Sequence, residues 1–211
     1  MISILQHIIQ ADRALKARNL RQTLLWRIIG ILILVVCFGH PVANASSTQL
    51  REYEIKAAFL YNFAKFVEWP EKALGEDDES LVLVILGKDD FGLALYSITG
   101  KEVGNRKFVV KWCSKVEEMK LFDQCHMIFI SSSEKEHFPR ILEALKDTHV
   151  LIIGDTEGFA EMGGIINFTI VEKKVRFEIN IDAAERAGLR ISSKLLKLAK
   201  IVSEKRDVKG D

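Results

Sequence analysis

The sequence has few of the residues and spacings from which metal and catalytic sites are built. Beyond residue 45 it holds three histidines, and none of them pairs with a cysteine, glutamate or second histidine at the spacing of zinc ligands. Gly87 and Gly92 follow an apolar run without forming the G-x-G-x-x-G pattern of a dinucleotide site. The serines at 131–133 lack the glycines of a nucleophile elbow. We therefore expect no metal site, no cofactor and no catalysis.

The sequence also lacks an excess of charge of one sign. Its 30 basic and 29 acidic residues leave a formal net charge of +1. The first 45 residues hold five of the bases and one of the acids, so the remainder has 25 bases and 28 acids, a net charge of −3. Nucleic-acid phosphates require a basic surface, so we exclude nucleic acid as a partner.

The first 45 residues have the three parts of an export signal. A basic segment precedes an uncharged apolar run from Ile28 to Phe38, which is about half of the roughly 20 residues that a membrane span needs. Pro41 and the small residues Ala43-Asn44-Ala45 follow, and they predict cleavage between Ala45 and Ser46. An uncleaved anchor is the alternative. The pattern predicts a signal peptide over 1–45 and a soluble product in the periplasm.

The longest helical pattern in the remaining 166 residues runs from Tyr53 to Trp69. Its apolar arc is wider than one core-facing stripe requires, and Pro70 ends it. Two interpretations remain open. The helix is either buried on two sides, or part of the arc, with Phe59, Phe63 and Phe66, faces a partner protein.

Short apolar runs alternate with helical patterns along the rest of the chain, which is typical of parallel strands joined by crossover helices. The predicted strands are 81–86, 107–112, 127–130, 150–153, 165–171 and 174–180. The predicted helices are 89–98, 133–145 (opened by a capping box of Ser133 and Glu136), 183–187 and 193–202. Only Glu172 and Lys173 separate the last two strands, which is hairpin spacing.

These patterns predict an α/β fold in one domain over 46–203. We expect a three-layer α/β/α sandwich with a mostly parallel sheet of about six strands that ends in an antiparallel hairpin. A charged, flexible tail is predicted over 204–211.

Two cysteines, Cys113 and Cys125, remain beyond the leader, in a compartment that oxidises exposed thiols. Their even number favours a disulfide. However, Cys113 ends one predicted strand and Cys125 begins the next, so parallel strands would place them at opposite edges of the sheet, too far apart to bond. Both outcomes stay open.

Several segments resemble the YfiR family, which includes HmsC. The most specific are Tyr53-Glu54-Ile55-Lys56-Ala57-Ala58-Phe59-Leu60-Tyr61-Asn62-Phe63-Ala64-Lys65-Phe66-Val67-Glu68-Trp69-Pro70 and Gly188-Leu189-Arg190-Ile191-Ser192-Ser193-Lys194-Leu195-Leu196. Between them lie Cys125-His126-Met127-Ile128-Phe129-Ile130-Ser131 and Arg176-Phe177-Glu178-Ile179-Asn180, in the family's order. The resemblance covers nearly all of the chain after the leader.

The resemblance implies a periplasmic regulator without catalysis that self-associates. It implies binding and repression of the sensor domain of an inner-membrane diguanylate cyclase (YfiN-like), which lowers cyclic-di-GMP signalling and biofilm formation. An outer-membrane lipoprotein (YfiB-like) would sequester the regulator. Family members often pair the counterpart of Cys125 with a cysteine on the first strand, where this sequence has Val84.

The resemblance also suggests where the cyclase would bind, namely the C-terminal hairpin and the following helix, with Glu178 as the nearest candidate. A solvated strand charge is the alternative for Glu178. The alternative function is a small-molecule-binding module with no cyclase partner, using the strand-end crevice near Gly87 and Ser131.

Overall fold

An eight-stranded sheet organises the part of the chain that the computed structural model describes, residues 45–75, 79–88, 90–114 and 125–205. The predicted leader up to residue 44, Asp89 at the start of a predicted helix, and the predicted tail from residue 206 lie outside the described residues.

The strands are β1 (Val67–Glu68), β2 (Ser80–Leu86), β3 (Glu102–Val103), β4 (Arg106–Cys113), β5 (Met127–Ile130), β6 (Leu151–Gly154), β7 (Ile166–Val171), β8 (Lys174–Asn180), β9 (Arg190–Ile191) and β10 (Lys200–Val202). The α-helices are α1 (Ala45–Phe66), α2 (Glu71–Leu74), α3 (Phe138–Leu145), α4 (Ile181–Arg186) and α5 (Ser193–Leu196). Segments of 3₁₀ helix cover Gly92–Ser97 and Ser132–His137.

The sheet has the order β10-β8-β7-β6-β5-β2-β4-β3, and β1 pairs separately with β9. The five strands from β4 to β7 in this order are mutually parallel, and so are β8 and β10. Two pairs are antiparallel, β7 with β8 and β3 with β4. The prediction of an α/β fold with a mostly parallel sheet is confirmed. The sheet has eight strands instead of about six, and β10, not the predicted hairpin, forms one of its edges.

Helix α1 packs its apolar face on the sheet, and Phe63 lies at the centre of that contact. The Phe63 ring is fully buried, with its centroid 5.5 Å from the ring of Phe168 in β7 and 5.1 Å from that of Phe177 in β8. Full burial of such a side chain is worth ~1.5–3 kcal/mol. The helix ends at Phe66, three residues before the predicted end, because Val67 enters β1 and pairs with Ile191 of β9.

The second helical layer covers the opposite face of the sheet. Successive strand residues point to opposite faces, so Ile152 of β6 points away from the face on which Phe129 of β5 contacts Phe168. Helix α3 packs on the Ile152 side, where its Phe138 and Leu142 line one pocket with Ile152. The architecture is therefore the predicted three-layer sandwich.

Two local predictions are wrong. Residues 193–202 do not form one helix, because α5 stops at Leu196 and Lys200–Val202 form β10, which pairs in parallel with β8. The cap of the segment after β5 is Ser131, whose Oγ accepts a hydrogen bond from the backbone N–H of Ser133 at 3.3 Å. The predicted capping box centred on Ser133 does not form.

Candidate functional site

A polar pocket lies at the carboxyl end of β6. Gly154, the last residue of β6, is in register with Asn167, the second residue of β7, so the rest of β7 extends beyond its neighbour. The loop from Asp155 to Glu161, residues 52–56 of α1 and the segment from Leu198 to Lys200 close the space beside this extension. The cavity, which we call the β6–β7 pocket, has a volume of about 890 Å³, within the range of small-molecule sites.

A buried lysine lies in the wall of this pocket. The Nζ atom of Lys56 donates to Asp155 Oδ2 at 2.9 Å and lies 2.8 Å from Glu52 Oε1, one helical turn earlier. It also lies 4.6 Å from the centre of the Tyr53 ring, where a cation is attracted to the π face. Only 5% of the Lys56 side chain is exposed. A buried ammonium group needs such compensation, because desolvation of an unpaired charge is very costly.

Asn167 is the least satisfied polar residue of the pocket. The residue is 0% exposed, yet neither its Oδ1 nor its Nδ2 atom has a hydrogen-bond partner. The Oδ1 atom of Asp155, in the same pocket, is also buried without a partner. Each unmade bond to a buried polar group costs ~1–3 kcal/mol. Because these unpartnered atoms belong to residues that line the β6–β7 pocket, they are candidate contacts for a ligand.

Ion pairs occupy the outer part of the pocket. Lys200 donates to Glu178 Oε1 at 2.8 Å, and this hydrogen bond with the accompanying attraction raises the pKa of Lys200 above its ordinary value. Lys205 forms a second pair with Glu161, which raises the pKa of Lys205 in the same way. At the inner wall, Asp155 Oδ1 keeps open acceptor capacity.

Exposed apolar side chains surround the mouth of the pocket. Ile170 and Val171 at the end of β7 are each 52% exposed, and Leu198 is 67% exposed. We call these three residues the apolar rim. The turn beyond them is formed by Glu172 and Lys173, both with positive φ, as in the tight turns that join antiparallel strands.

The aromatic residues predicted to face a partner do not form one surface. Phe63 was a wrong candidate, because its side chain is fully buried in the core. Phe59 and Phe66 are partly buried and pack against the same core, with the Phe59 ring 5.2 Å from that of Phe177. The arc of α1 is wide because it packs on several core side chains.

Glu178 lies in the β6–β7 pocket and not on an open strand face. Its side chain is 12% exposed and is paired with Lys200. The alternative prediction of a solvated strand charge is therefore wrong. As a partner-binding candidate, Glu178 lies behind the exposed ammonium group of Lys200.

The predicted crevice near Gly87 and Ser131 is occupied by the protein's own side chains. The Oγ atom of Ser131 donates to the backbone oxygen of Lys88, and the Oγ atom of Ser133 accepts from the Lys88 N–H at 3.0 Å. A Cβ atom placed on Gly87 would lie 2.5 Å from Ser133 Oγ. This strand end is therefore closely packed and offers no support for a ligand site there.

Cys113 and Cys125 are both buried and are not joined by a disulfide. Cys113 is in register with Leu86 at the end of β2, whereas Met127, two residues after Cys125, is in register with Leu83. With ~3.3 Å per strand residue, the cysteines are offset by roughly 16 Å along the sheet, far beyond the ~7 Å limit for bonding. This separation supports the outcome in which the two cysteines do not bond.

Sequence reasoning missed Lys56, Asp155 and Asn167. One signal for Lys56 was present, because it lies on the stripe of α1 that also carries Tyr53 and Leu60, where a core-facing charge needs a partner. Asp155 and Asn167 carried no such signal. Among the described residues, no group of three His, Cys, Asp or Glu side chains could hold a metal ion, and none of the described helices has the length and apolar character to cross a membrane.

The chain resembles solved structures at low identity. One is an ABC domain in complex with L-Trp from Streptococcus pneumoniae, with 11% identity, a TM-score of 0.48, and coverage of 72% of this chain and 60% of the other. A conserved domain protein from Vibrio cholerae matches at 11% identity and a TM-score of 0.47, with 71% and 59% coverage. A third is the ligand-free, open structure of a substrate-binding protein with adhesive properties from Clostridium difficile. It has 12% identity and a TM-score of 0.44, and the match covers 64% of this chain and 57% of the other. The chain thus spans about three fifths of the length of these structures.

A sequence-family model matches most of the chain. Residues 53–200 match the YfiR/HmsC-like family. Among the described helices and strands, only the first turns of α1 and the last two residues of β10 lie outside this range. Family members are periplasmic regulators and are not catalytic. The chain therefore belongs to the YfiR/HmsC-like family.

Proposed function

We propose that this protein binds the periplasmic sensor domain of an inner-membrane diguanylate cyclase and holds the cyclase inactive. The match to the YfiR/HmsC-like family over residues 53–200 carries this proposal. Repression is then a binding equilibrium, because a regulator favours one state of its partner only by the difference between its affinities for the two states. The result is lower cyclic-di-GMP and less biofilm.

Export is part of the proposal. The compact unit of the chain begins at Ala45, one residue before the N-terminus that cleavage between Ala45 and Ser46 would create. A mature protein that starts at Ser46 retains all of α1 except Ala45, and the whole sheet. It works in the periplasm, where it meets the cyclase on one side and an outer-membrane lipoprotein of the YfiB type on the other.

The apolar rim is the part of the surface best suited to the cyclase. Its residues Ile170, Val171 and Leu198 are exposed by half to two thirds and border the pocket that contains Glu178. Burial of apolar side chains would stabilise a complex, and a neighbouring charge pair would fix the orientation of the partner, as at the centres of protein interfaces. Ile170 and Val171 belong to the C-terminal hairpin, which the resemblance suggests as the partner surface together with the following helix, whereas Leu198 lies in the segment after α5.

The test is binding between residues 46–211 and the purified periplasmic segment of a cyclase encoded beside this gene, measured by calorimetry. Leu198→Asp places a charge in the proposed interface and should weaken binding by at least tenfold. Leu93→Asp is the matched control, because Leu93 is 80% exposed and lies in the 3₁₀ segment after β2. It should bind as the unaltered protein does.

Equal binding by the unaltered protein and both variants would remove the rim from the interface. Failure of the unaltered protein to bind the cyclase segment at micromolar concentration, with both proteins folded by circular dichroism, would contradict the proposed function itself. Sedimentation of the same samples checks the expected self-association, since a monomer at all concentrations would contradict it.

A further inference from the structure

We propose that the free edge of β10 binds an extended segment of the partner protein, in which acidic and apolar residues alternate, as an added strand of the sheet. The proposal rests on the proposed function for the identity of the partner, and it specifies the chemistry of the contact. Strand β10 is the last strand of the sheet, with β8 on one side and, among the described residues, no strand on the other. An edge of this kind presents backbone groups to which a strand of another chain adds.

The backbone of β10 is available on the side that faces away from β8. Lys200–Val202 pair in parallel with residues 178–180 of β8, which uses the backbone groups that point toward β8. Within the described part of the chain, no backbone hydrogen bond outside the strand ladders involves these three residues. The chain after β10 leads away from the edge, because the N–H of Lys205 donates to the backbone oxygen of Glu161 at 3.0 Å. An incoming strand therefore meets open donors and acceptors along β10.

The two faces of β10 differ in their chemistry. Ile201 is in register with Ile179, two residues from Phe177, so its side chain points to the face covered by α1. It is 48% exposed. Lys200 points to the opposite face with Glu178, and 72% of its side chain is exposed despite that ion pair. Because apolar and opposite-charge pairs between neighbouring strands stabilise a sheet, the added strand should carry apolar residues on the first face and acids on the second.

The charge of the edge favours an acidic partner. The two segments that build it, residues 172–178 and 194–205, contain seven bases and three acids, a net charge of +4, whereas residues 46–211 as a whole have a net charge of −3. A second copy of this chain would bring the same positive excess to the edge, and like charges on facing strands are destabilising. A lysine on an edge strand is a common protection against such self-pairing. The edge is therefore suited to an acidic segment and not to a second copy.

The edge is continuous with the apolar rim. Leu198, the most exposed rim residue, lies two residues before β10 and is 67% exposed. A segment that continues past the beginning of β10 therefore meets Leu198 as well as Ile201. Such a contact combines backbone pairing with burial of apolar side chains, as in other complexes formed by strand addition.

The test uses three short peptides, with binding to residues 46–211 measured by calorimetry. The first alternates glutamate and valine, the second alternates lysine and valine, and the third is the first with every backbone nitrogen methylated. The Glu–Val peptide should bind about tenfold more tightly than the Lys–Val peptide, because its charge complements the edge. The methylated peptide should bind at least tenfold more weakly than the Glu–Val peptide, since it has no N–H groups to donate to β10.

Amide hydrogen exchange locates the bound peptide. The Glu–Val peptide should slow exchange in β10, because added hydrogen bonds protect the amides that point away from β8. Strand β3, at the opposite edge of the sheet, is the internal control and should exchange at an unchanged rate.

Two variants test the residues of the edge. Ile201→Asp should weaken binding of the Glu–Val peptide by about tenfold, because it places a carboxylate beside the glutamates of the peptide. The double substitution Glu178→Lys and Lys200→Glu keeps an ion pair between β8 and β10 and reverses the charge that the edge exposes, so it should narrow the preference for the Glu–Val peptide. Leu93→Asp is again the control and should bind this peptide as the unaltered protein does.

Three outcomes would overturn the proposal. They are the absence of Glu–Val peptide binding at millimolar concentration, equal binding of the methylated peptide, and unchanged hydrogen exchange in β10 with the peptide bound.

Competition with the cyclase segment separates this proposal from the proposed function. The Glu–Val peptide should displace the periplasmic segment of the cyclase from residues 46–211. A cyclase segment that binds but is not displaced would contradict the β10 contact alone. Peptide binding to β10 without any binding of the cyclase segment would contradict the proposed function alone, because the peptide experiments contain no cyclase.

Discussion

Replacing Asn167 by leucine is expected to stabilise the protein. Leucine has nearly the shape of asparagine and lacks the two polar atoms that are buried without partners. Each such atom costs ~1–3 kcal/mol, and we expect about half of the total to be offset by imperfect fit of the methyl groups. The free energy of unfolding should rise by about 1–3 kcal/mol, which corresponds to an increase in Tm of roughly 2–12 °C for a domain of this size.

Asn180→Leu is the matched control. Asn180 has the same burial of 0% exposure, but its Nδ2 donates to Ala160 O at 2.8 Å and its Oδ1 accepts from Ala183 N at 3.0 Å. Leucine there would leave the Ala183 N–H without its acceptor, remove one of the two hydrogen bonds that Ala160 O accepts, and remove the N-cap of α4, at a cost of about 2–4 kcal/mol. Urea denaturation should thus show opposite signs for the two variants. A loss of stability in Asn167→Leu as large as that in Asn180→Leu would refute the reasoning.

Three further predictions concern stability. Lys56→Met should lower the free energy of unfolding by about 2–4 kcal/mol in urea, since it leaves two carboxylates in the pocket without their cation; no loss would contradict the ion-pair account. The double substitution Glu172→Asn and Lys173→Gly should raise the free energy of unfolding by about 1 kcal/mol. Both positions have positive φ, which asparagine and glycine adopt more readily than glutamate and lysine, and a lower Tm would contradict this. The pKa of Lys200 is raised by its hydrogen bond to Glu178. This pair therefore stabilises the fold at pH values below 10.5, the ordinary pKa of lysine, and its contribution is lost as the pH rises through the pKa of the folded state. Above pH 10.5, the Tm should therefore fall more steeply with pH for the unaltered protein than for Lys200→Gln. Identical slopes of Tm against pH would contradict the assignment.

The parallel strands themselves, though not their order in the sheet, were predictable because their apolar runs are short and continuous. Strand β2 from Leu81 to Leu86 is buried on both faces, and its sequence contains only apolar residues. The hairpin was predictable for a different reason, since two residues between alternating runs leave room only for a tight turn.

Strand β10 was not predictable from its local pattern. Leu195, Leu198, Ala199 and Val202 have helical spacing, yet Leu198 is 67% exposed and only Leu195 among them is fully buried. Pairing of Lys200–Val202 with β8 supplies backbone hydrogen bonds that the helical pattern did not reveal. This is a case in which tertiary pairing outweighs a local preference.

The pocket was hidden for a similar reason. Lys56 and its partner Asp155 are 99 residues apart in the chain, and Asn167 occurs within an apolar run that reads as an ordinary strand. They line one cavity because β6 ends at Gly154, in register with Asn167, and no local sequence pattern reveals this pairing. The family resemblance predicted the compartment and class of the protein but not this site.

The most direct test of the proposed function is the cyclic-di-GMP content of cells from which this gene has been deleted while the candidate cyclase is expressed. We expect a rise in cyclic-di-GMP, reversed by the unaltered gene and less fully by Leu198→Asp. Unchanged cyclic-di-GMP in the deletion strain, with the cyclase present and active, would contradict it.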